Sequence, residues 1–299
     1  MPIVNGVEVD DSAFAELFPM WVGRVLITAD SEKWAMAAAQ AATGFGSSVI
    51  MSPAEAGIEC AVPPSDTPDG RPGVLIQIYQ RTRPMLKAQM ISRIGQCVMT
   101  CPTTAAFDAL PEAKRRLRVG HAIRMFGDGF EEKKEMYGRT MWVIPVMEGA
   151  FIIEDRFGAK KGIAGGNFII MGSTKESALR AAEAAVEAIK KVGGVILPFP
   201  GGVCRSGSKV GSMKYKLPAS TNHMFCPTLR ERVPESQVPE QASAVYEIVF
   251  NAVSLDKIKE ATKAGIEAAT KVEGIIKISA VNFGGKLGPV KVYLRDLFT

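Results

Sequence analysis

No stretch of this sequence approaches the roughly 20 consecutive apolar residues of a membrane-spanning helix. Its start, MPIVNGVEVDD, has neither the basic nor the apolar segment of a secretory leader. A cytoplasmic protein that does not enter a membrane is the expectation. Histidine is nearly missing, with two residues, and the five cysteines (Cys60, Cys97, Cys101, Cys204 and Cys226) never form a CxxC pair. Zinc would lack its usual ligands, so reduced, mostly buried thiols and no bound metal are expected. Aromatic residues make up 7% and include no run of the kind that stacks RNA bases on a sheet, so no nucleic-acid partner is expected. A formal net charge of +5 is mild for 299 residues and does not by itself require a polyanion.

Acidic residues are missing from one long stretch. Between Ala188 and Arg230 there is no Asp or Glu, while Lys190, Lys191, Arg205, Lys209, Lys214, Lys216 and Arg230 all fall there. The stretch reads either as a solvated face or as a surface that meets an anion.

What is present supports a real core, since 47% of residues are hydrophobic. The length suits one large domain or two ordinary ones. Two segments read alike: VLITADSEKWAMAAAQAATGFGSSVIMSP (25–53) and FIIMGSTKESALRAAEAAVEAIKKVGGVILP (168–198). Each offers an apolar strand, a polar cap, an Ala-rich helix, a Gly break, a second apolar strand and Pro. Ser31 or Asp30 can cap the first helix, and Ser173 or Thr174 the second. A second unit follows in each half. The first has strand 73–79, helix 84–95 and a strand at 96–101; the second has strand 244–253, helix 254–274 and strand 275–281. The expected fold class is α+β: two ferredoxin-like (split βαβ) lobes related by internal duplication, residues 1–148 and 149–299. Residues 111–148, with their hairpin signals, read as a β-rich insertion in the first lobe.

Five loops are richer in Gly, Pro and small polar residues than a connection needs: 68–73, 162–168, 198–212, 217–222 and 282–289. Glycine lets backbone N–H groups approach a ligand closely, but also serves ordinary turns. Within 198–212, GVCRSGSK (202–209) is close to a phosphate loop, yet the VGSMKYKLP that follows is a poor helix to hold a phosphate. Ser206 to Lys209 matches SxxK without the companion SDN and KTG motifs. Cys204 could be a nucleophile beside Arg205, although neither His121 nor His223 is near it in sequence. One acid is out of place. Glu247 sits in AVYEIVF, where alternation puts it on the face of Val245 and Val249, opposite Tyr246 and Ile248. Burial there would raise its pKa and let it donate a proton near pH 7; on an open face it would be an ordinary solvated glutamate.

The blocks SPAEAGIE (52–59), TPDGRPG (67–73), RIGQCV (93–98), GIAGGNF (162–168), PFPGG (198–202), SGSKVG (206–211) and AVYEIV (244–249) run in order along nearly the whole chain. Together they resemble the formylmethanofuran–tetrahydromethanopterin formyltransferases. The resemblance implies two ferredoxin-like lobes and a ternary-complex reaction without a permanently bound cofactor. It implies tetrahydromethanopterin and methanofuran as carrier co-substrates, amine attack through a tetrahedral intermediate, and Glu247 as the assisting acid. Positive net charge makes the chain look more like the methylotrophic-bacterial form than the acidic archaeal one. That form implies a formyltransferase/hydrolase complex, transfer from pterin to furan carrier, and a furan carrier with a polyglutamate tail.

Around Glu247 the candidate substrate-binding residues are Gly201, Gly202, Arg205, Ser206, Gly207, Ser208 and Lys209, with Asn222, Lys214 and Lys216 beyond them. Backbone N–H groups of 201–208 are candidate oxyanion donors, and the lysines are candidates for an anionic tail. Self-association is expected, with no feature fixing its symmetry. The alternative is a non-catalytic structural or regulatory subunit of a one-carbon enzyme complex. A degenerate subunit would be expected to lack Glu247 or the Gly loops, and this chain has both.

Overall fold

The structure, a computed structural model, describes residues 2–298. Strands β1 (Ile3–Val4), β2 (Val7–Val9) and β3 (Phe14–Thr28) lead to helix α1 (Glu32–Thr43), strands β4 (Glu55–Val62) and β5 (Gly73–Gln80), helix α2 (Arg83–Arg93) and β6 (Ala105–Asp108). A second run holds β7 (Arg115–Leu117), α3 (Val119–Ile123), β8 (Glu132–Met136), β9 (Arg139–Val146) and β10 (Gly149–Glu154). The rest is β11 (Phe157–Gly172), α4 (Lys175–Lys190), β12 (Val195–Ile196), β13 (Val203–Cys204), β14 (Ser208–Val210), β15 (Ala219–Thr221), β16 (Ala244–Ala252), α5 (Leu255–Ala269), β17 (Ile275–Ser279) and β18 (Val290–Tyr293). Two compact units result. One is residues 19–162; the other joins the residues up to 18 with those from 163 on, so the boundaries fall within β3 and β11.

In the unit 19–162 the strand order is β4-β5-β3-β6-β10-β9-β8, antiparallel throughout except for the parallel pair β6·β10. Helix α1 buries Ala35, Ala38, Ala39 and Ala42, small residues that let it lie close to Ile76 and Ile78 of β5. Two expectations fail here. Residues 47–53 form turns with Ile50 and Met51 largely exposed, and the strand is the following EAGIECAV. Residues 96–101 are not a strand either. Leu86, Met90, Ile94 and Val98 make a buried stripe at four-residue spacing, so α2 runs on through a π turn at Ile94–Val98 and the strand waits until Ala105.

In the other unit, β12 and β13 both pair with β16, β16 with β11 and β11 with β17, all antiparallel, while β17 pairs in parallel with β2. Thr174 caps α4 in a reciprocal box with Ser177, and Ser254 caps α5. The two helices bury Ala181, Ala182, Ala185, Ala261 and Ala269 against Phe168 and Phe250, whose rings meet edge to face at 6.3 Å. Each such ring contributes roughly 2–3 kcal/mol on burial. The opposite sheet face is covered by chain rather than helix: Ile169, Met171 and Val245 pack there on Phe225, Val238 and Ala242. No helix among the described residues is long and apolar enough to cross a membrane.

The loop 282–289 proves not to be open for a ligand. Its backbone N–H groups already have an acceptor: Glu16 on β3, 2% exposed, takes bonds from Phe283 (2.9 Å), Leu287 (3.2 Å), Gly288 (3.1 Å) and Gly285. Burial alone would push the Glu16 carboxyl up, but those four donors more than offset it and hold its pKa below the usual value.

Candidate active site

Glu247 lies on the helix-free face of its sheet. Its register partners are Ile169 on β11 and Cys204 on β13, so an apolar side chain stands on one side and a thiol on the other. The loop after β13 folds over it: a methyl at Gly207 would lie 3.9 Å from Glu247 Oε2 and 3.7 Å from Cβ of Asn222. Desolvation raises the Glu247 pKa to about 7, with a hydrogen bond from Cys204 pulling the other way. The carboxyl is therefore protonated in a large part of the molecules at neutral pH, the state an acid catalyst requires.

Cys204 is 5% exposed. Burial first, then the nearby Glu247 charge, push its thiol up, against backbone N–H bonds from Gly207 and Ser206. Ser206 Oγ lies 3.7 Å from its Sγ. His223 is turned to Glu235, at 3.2 Å, and within the unit 19–162 His121 sits 3.6 Å from Asp155. A nucleophilic cysteine needs a lowered pKa and a partner base, and Cys204 has the opposite environment. Asn222 is 4% exposed and its Oδ1 has no hydrogen-bond partner. A buried acceptor left open is costly.

Of the other candidates, Gly202 is buried and its N–H bonds Phe199 O at 2.8 Å, so with Ser206 and Gly207 three of the proposed oxyanion donors are already engaged. Gly201 is exposed at φ +63°, and Arg205, Ser206 and Ser208 are exposed. Lys209 reaches Ser220 Oγ at 2.7 Å. Lys214 and Lys216 are exposed on the loop between β14 and β15, with Lys214 Nζ 5.3 Å from the Tyr215 ring centre, and neither has an ion-pair partner among the described residues. The basic stretch is less uniform than its sequence. Lys190 pairs with Glu187 at 2.8 Å and Arg230 bonds the carbonyls of Glu240 and Ala242. Sequence reading did not find the pairing of Cys204 with Glu247, nor the exposed apolar residues Val210, Met213, Tyr215 and Leu217 interleaved with the lysines. Among the described residues no group of three or more His, Cys, Asp and Glu converges as a metal ion would require. Two clefts of the unit 19–162, of about 530 and 280 Å³, are lined by none of the candidate residues.

Residues 2–146 match the family formylmethanofuran-tetrahydromethanopterin formyltransferase and residues 149–297 match "FTR, proximal lobe". The formylmethanofuran–tetrahydromethanopterin formyltransferases of Methanocaldococcus jannaschii and Methanopyrus kandleri are 58% and 56% identical over 99% of this chain and 99% of theirs. The solved enzyme of Methanosarcina barkeri superposes with a TM-score of 0.96 at 51% identity, covering all of both chains. A chain of the formyltransferase/hydrolase complex from Methylorubrum extorquens, solved with methylofuran, gives 0.95 at 42% identity, covering 100% of this chain and 99% of that one. The fold and the relatives that share it are those of an acyl-group transferase. The chain belongs to the formylmethanofuran–tetrahydromethanopterin formyltransferase family.

Proposed function

We propose that Glu247 is the general acid of a formyl transfer between methanofuran and tetrahydromethanopterin, with Gly207 and Asn222 bordering the place where the reacting nitrogens meet. The observation that carries this is a carboxyl raised to about 7 on the sheet face covered by the glycine loop. The entering nitrogen attacks the formyl carbon and the carbonyl becomes a tetrahedral oxyanion. Glu247 gives its proton to the departing nitrogen as that C–N bond breaks, and regains one from the entering nitrogen. Holding the two nitrogens in line supplies much of the rate. A non-catalytic subunit is not favoured, since family membership and the raised pKa of the half-buried acid both speak for chemistry.

Three finer readings belong to the same proposal. The two halves, 1–148 and 149–299, are ferredoxin-like duplicates. In support, β3-α1-β4-β5-α2-β6 and β11-α4-β12-β16-α5-β17 share one order, and their strands line up alike, as β4-β5-β3-β6 and β12-β16-β11-β17. Lys209, Lys214 and Lys216 draw the polyanionic tail of a furan carrier. The chain self-associates, and hydrolase subunits are its partners if it works in a complex like that of Methylorubrum extorquens. Its charge favours that setting, while its higher identity with the archaeal enzymes favours the other.

The deciding experiment is a formyl-transfer assay of the purified protein with both carriers, beside Glu247→Gln. The variant is expected to fold and to bind both carriers, but to turn over roughly 10²–10⁴-fold more slowly. A variant as fast as the parent overturns the acid role, and a parent that transfers nothing overturns the function.

A further inference from the structure

An acid is useful only if its proton faces the reacting atoms. A carboxylic acid has two oxygens, and something must decide which of them carries the hydrogen. On β16 the Glu247 carboxyl has two cross-strand neighbours on its own face. Ile169 has no polar group; Cys204 has an S–H. The sulfur of Cys204 is itself constrained: backbone N–H groups of Ser206 and Gly207 bond to it, and Ser206 Oγ is 3.7 Å away. With N–H donors on its acceptor side, the sulfur is a poor acceptor for the O–H of Glu247; its own hydrogen has two acceptors, Ser206 Oγ and the Glu247 carboxyl paired with it across the strands, and the exposed Ser206 hydroxyl can turn to solvent. The thiol, held in its neutral form by burial, keeps that hydrogen.

We infer that Cys204 is a positioning residue for the transfer. By donating its S–H to one oxygen of Glu247, it leaves the acidic proton on the other oxygen, the one that meets the substrate. This rests on the reading of Glu247 as the acid. No bond to sulfur forms and the thiol never loses its hydrogen. The proton that moves goes from Glu247 to the departing nitrogen and is replaced from the entering one. The arrangement also ties the acid to the glycine loop, because the same sulfur that orients Glu247 is held by the backbone of Ser206 and Gly207. Loop and acid are thereby kept in register with each other.

Other groups near Glu247 do not compete for this role. From β11 it meets Ile169 and from the covering loop Gly207, neither of which ionises. Arg205 is exposed and Lys209 is turned to Ser220. Cys204 is the one titratable side chain that acts on Glu247 among the described residues.

The test combines two readouts on Cys204→Ala and Cys204→Ser in the full-length protein. The first is a titration of Glu247 by NMR of δ-¹³C-labelled glutamate, with Glu247→Gln assigning the signal. The second is the pH profile of kcat and both KM values for formyl transfer. An S–H donor stabilises the carboxylate, so Cys204→Ala is expected to move the Glu247 titration, and the falling limb of kcat, upward by about half a unit or more. The plateau kcat should fall about tenfold with both KM values nearly unchanged, as for an interaction felt in the transition state. Cys204→Ser, which restores a donor, should bring back most of both. An alanine variant with parental titration and parental kcat overturns the inference, leaving Cys204 a packing residue. A serine variant as inactive as alanine also overturns it, in favour of a reacting sulfur. If the titration shifts as expected but Glu247→Gln keeps the parental rate, the hydrogen bond stands and the catalytic reading of Glu247 falls, so the two failures are told apart.

Discussion

Gly207 stands directly over Glu247: its backbone is at φ +54°, and a Cβ added there would lie 3.9 Å from Oε2 of the acid. That separation is ordinary contact, so a methyl fits without a clash. It does so in a left-handed conformation that costs a non-glycine residue on the order of 1 kcal/mol. Gly207→Ala is therefore expected to fold, to melt a few degrees lower, and to transfer formyl at least tenfold more slowly because the methyl takes up space beside the acid. Comparing the loss in kcat with the loss in melting temperature checks this; a full parental rate would mean that substrate does not pass between Gly207 and Glu247.

Asn222 offers a trade between stability and activity. Its buried Oδ1 lacks a partner, and such a group costs about 1–3 kcal/mol. Asn222→Leu, of similar volume, should melt at or above the parental temperature while kcat/KM falls tenfold or more, since the donor on the substrate loses its acceptor. Calorimetry and steady-state kinetics on one preparation decide it. A variant that is less stable and equally active would assign Asn222 to the scaffold.

The acid form of Glu247 gives the pH dependence its sign. Its folded pKa is raised to about 7 from 4.5, so the native state holds a proton that the unfolded chain releases between those values. Stability should decline as pH rises from about 4.5 to 7 and then level off, by on the order of 3 kcal/mol from this group. Glu247→Gln should remove that decline, making the inactive variant the more stable one above pH 7. Urea unfolding of both proteins at pH 5 and pH 8 measures it.

Glu16 acts with the opposite sign. Its folded pKa is held below 4.5, so its stabilisation is present above 4.5 and disappears as pH falls through the folded value. Glu16→Gln should cost about 3 kcal/mol at neutral pH, with the gap to the parent closing in acid. Denaturant midpoints that differ by a constant amount from pH 7 to pH 3 would show that the charge is not what the loop binds.

The exposed pair Lys214 and Lys216 tests the tail. Reversing both charges should raise the apparent KM for a furan carrier with a polyglutamate tail and flatten its dependence on salt, leaving kcat nearly unchanged. A change confined to the pterin carrier would move these lysines to the other substrate.

For Glu247, whether its face is covered was left open by the sequence, and its role came only from the family resemblance, but the face itself was legible, because alternation in a strand is local. The thiol beside Glu247 was not. That Cys204 stands opposite residue 247 depends on the register of β13 against β16, which no local pattern sets. The acid-free stretch is less uniform in the structure than in the sequence for a related reason. Lys190 finds Glu187 one helical turn back, just outside the stretch, and Arg230 finds carbonyls rather than carboxylates. The strand assigned to 96–101 failed although its cue was local. The stripe from Leu86 to Val98 keeps helical spacing through the π turn and outweighs the turn signals after it.

The clamp of Glu16 on residues 283–288 has a consequence for biosynthesis. A ribosome makes β2 and the first residues of β3 early, yet their partners β17 and β18 come near the end of synthesis. The unit 19–162 is one continuous segment of chain and can form while the rest is still being translated. Meanwhile Val7, Val9 and Leu17, all buried in the finished protein, must wait beside unpaired strand edges. For that interval the nascent chain carries a sticky leading end, the kind of segment that calls for a chaperone or fast translation of the later residues. Closing so long a loop is slow rather than costly, since its entropy grows only with the logarithm of its length. The last strands to be made are thus the ones that fasten the first.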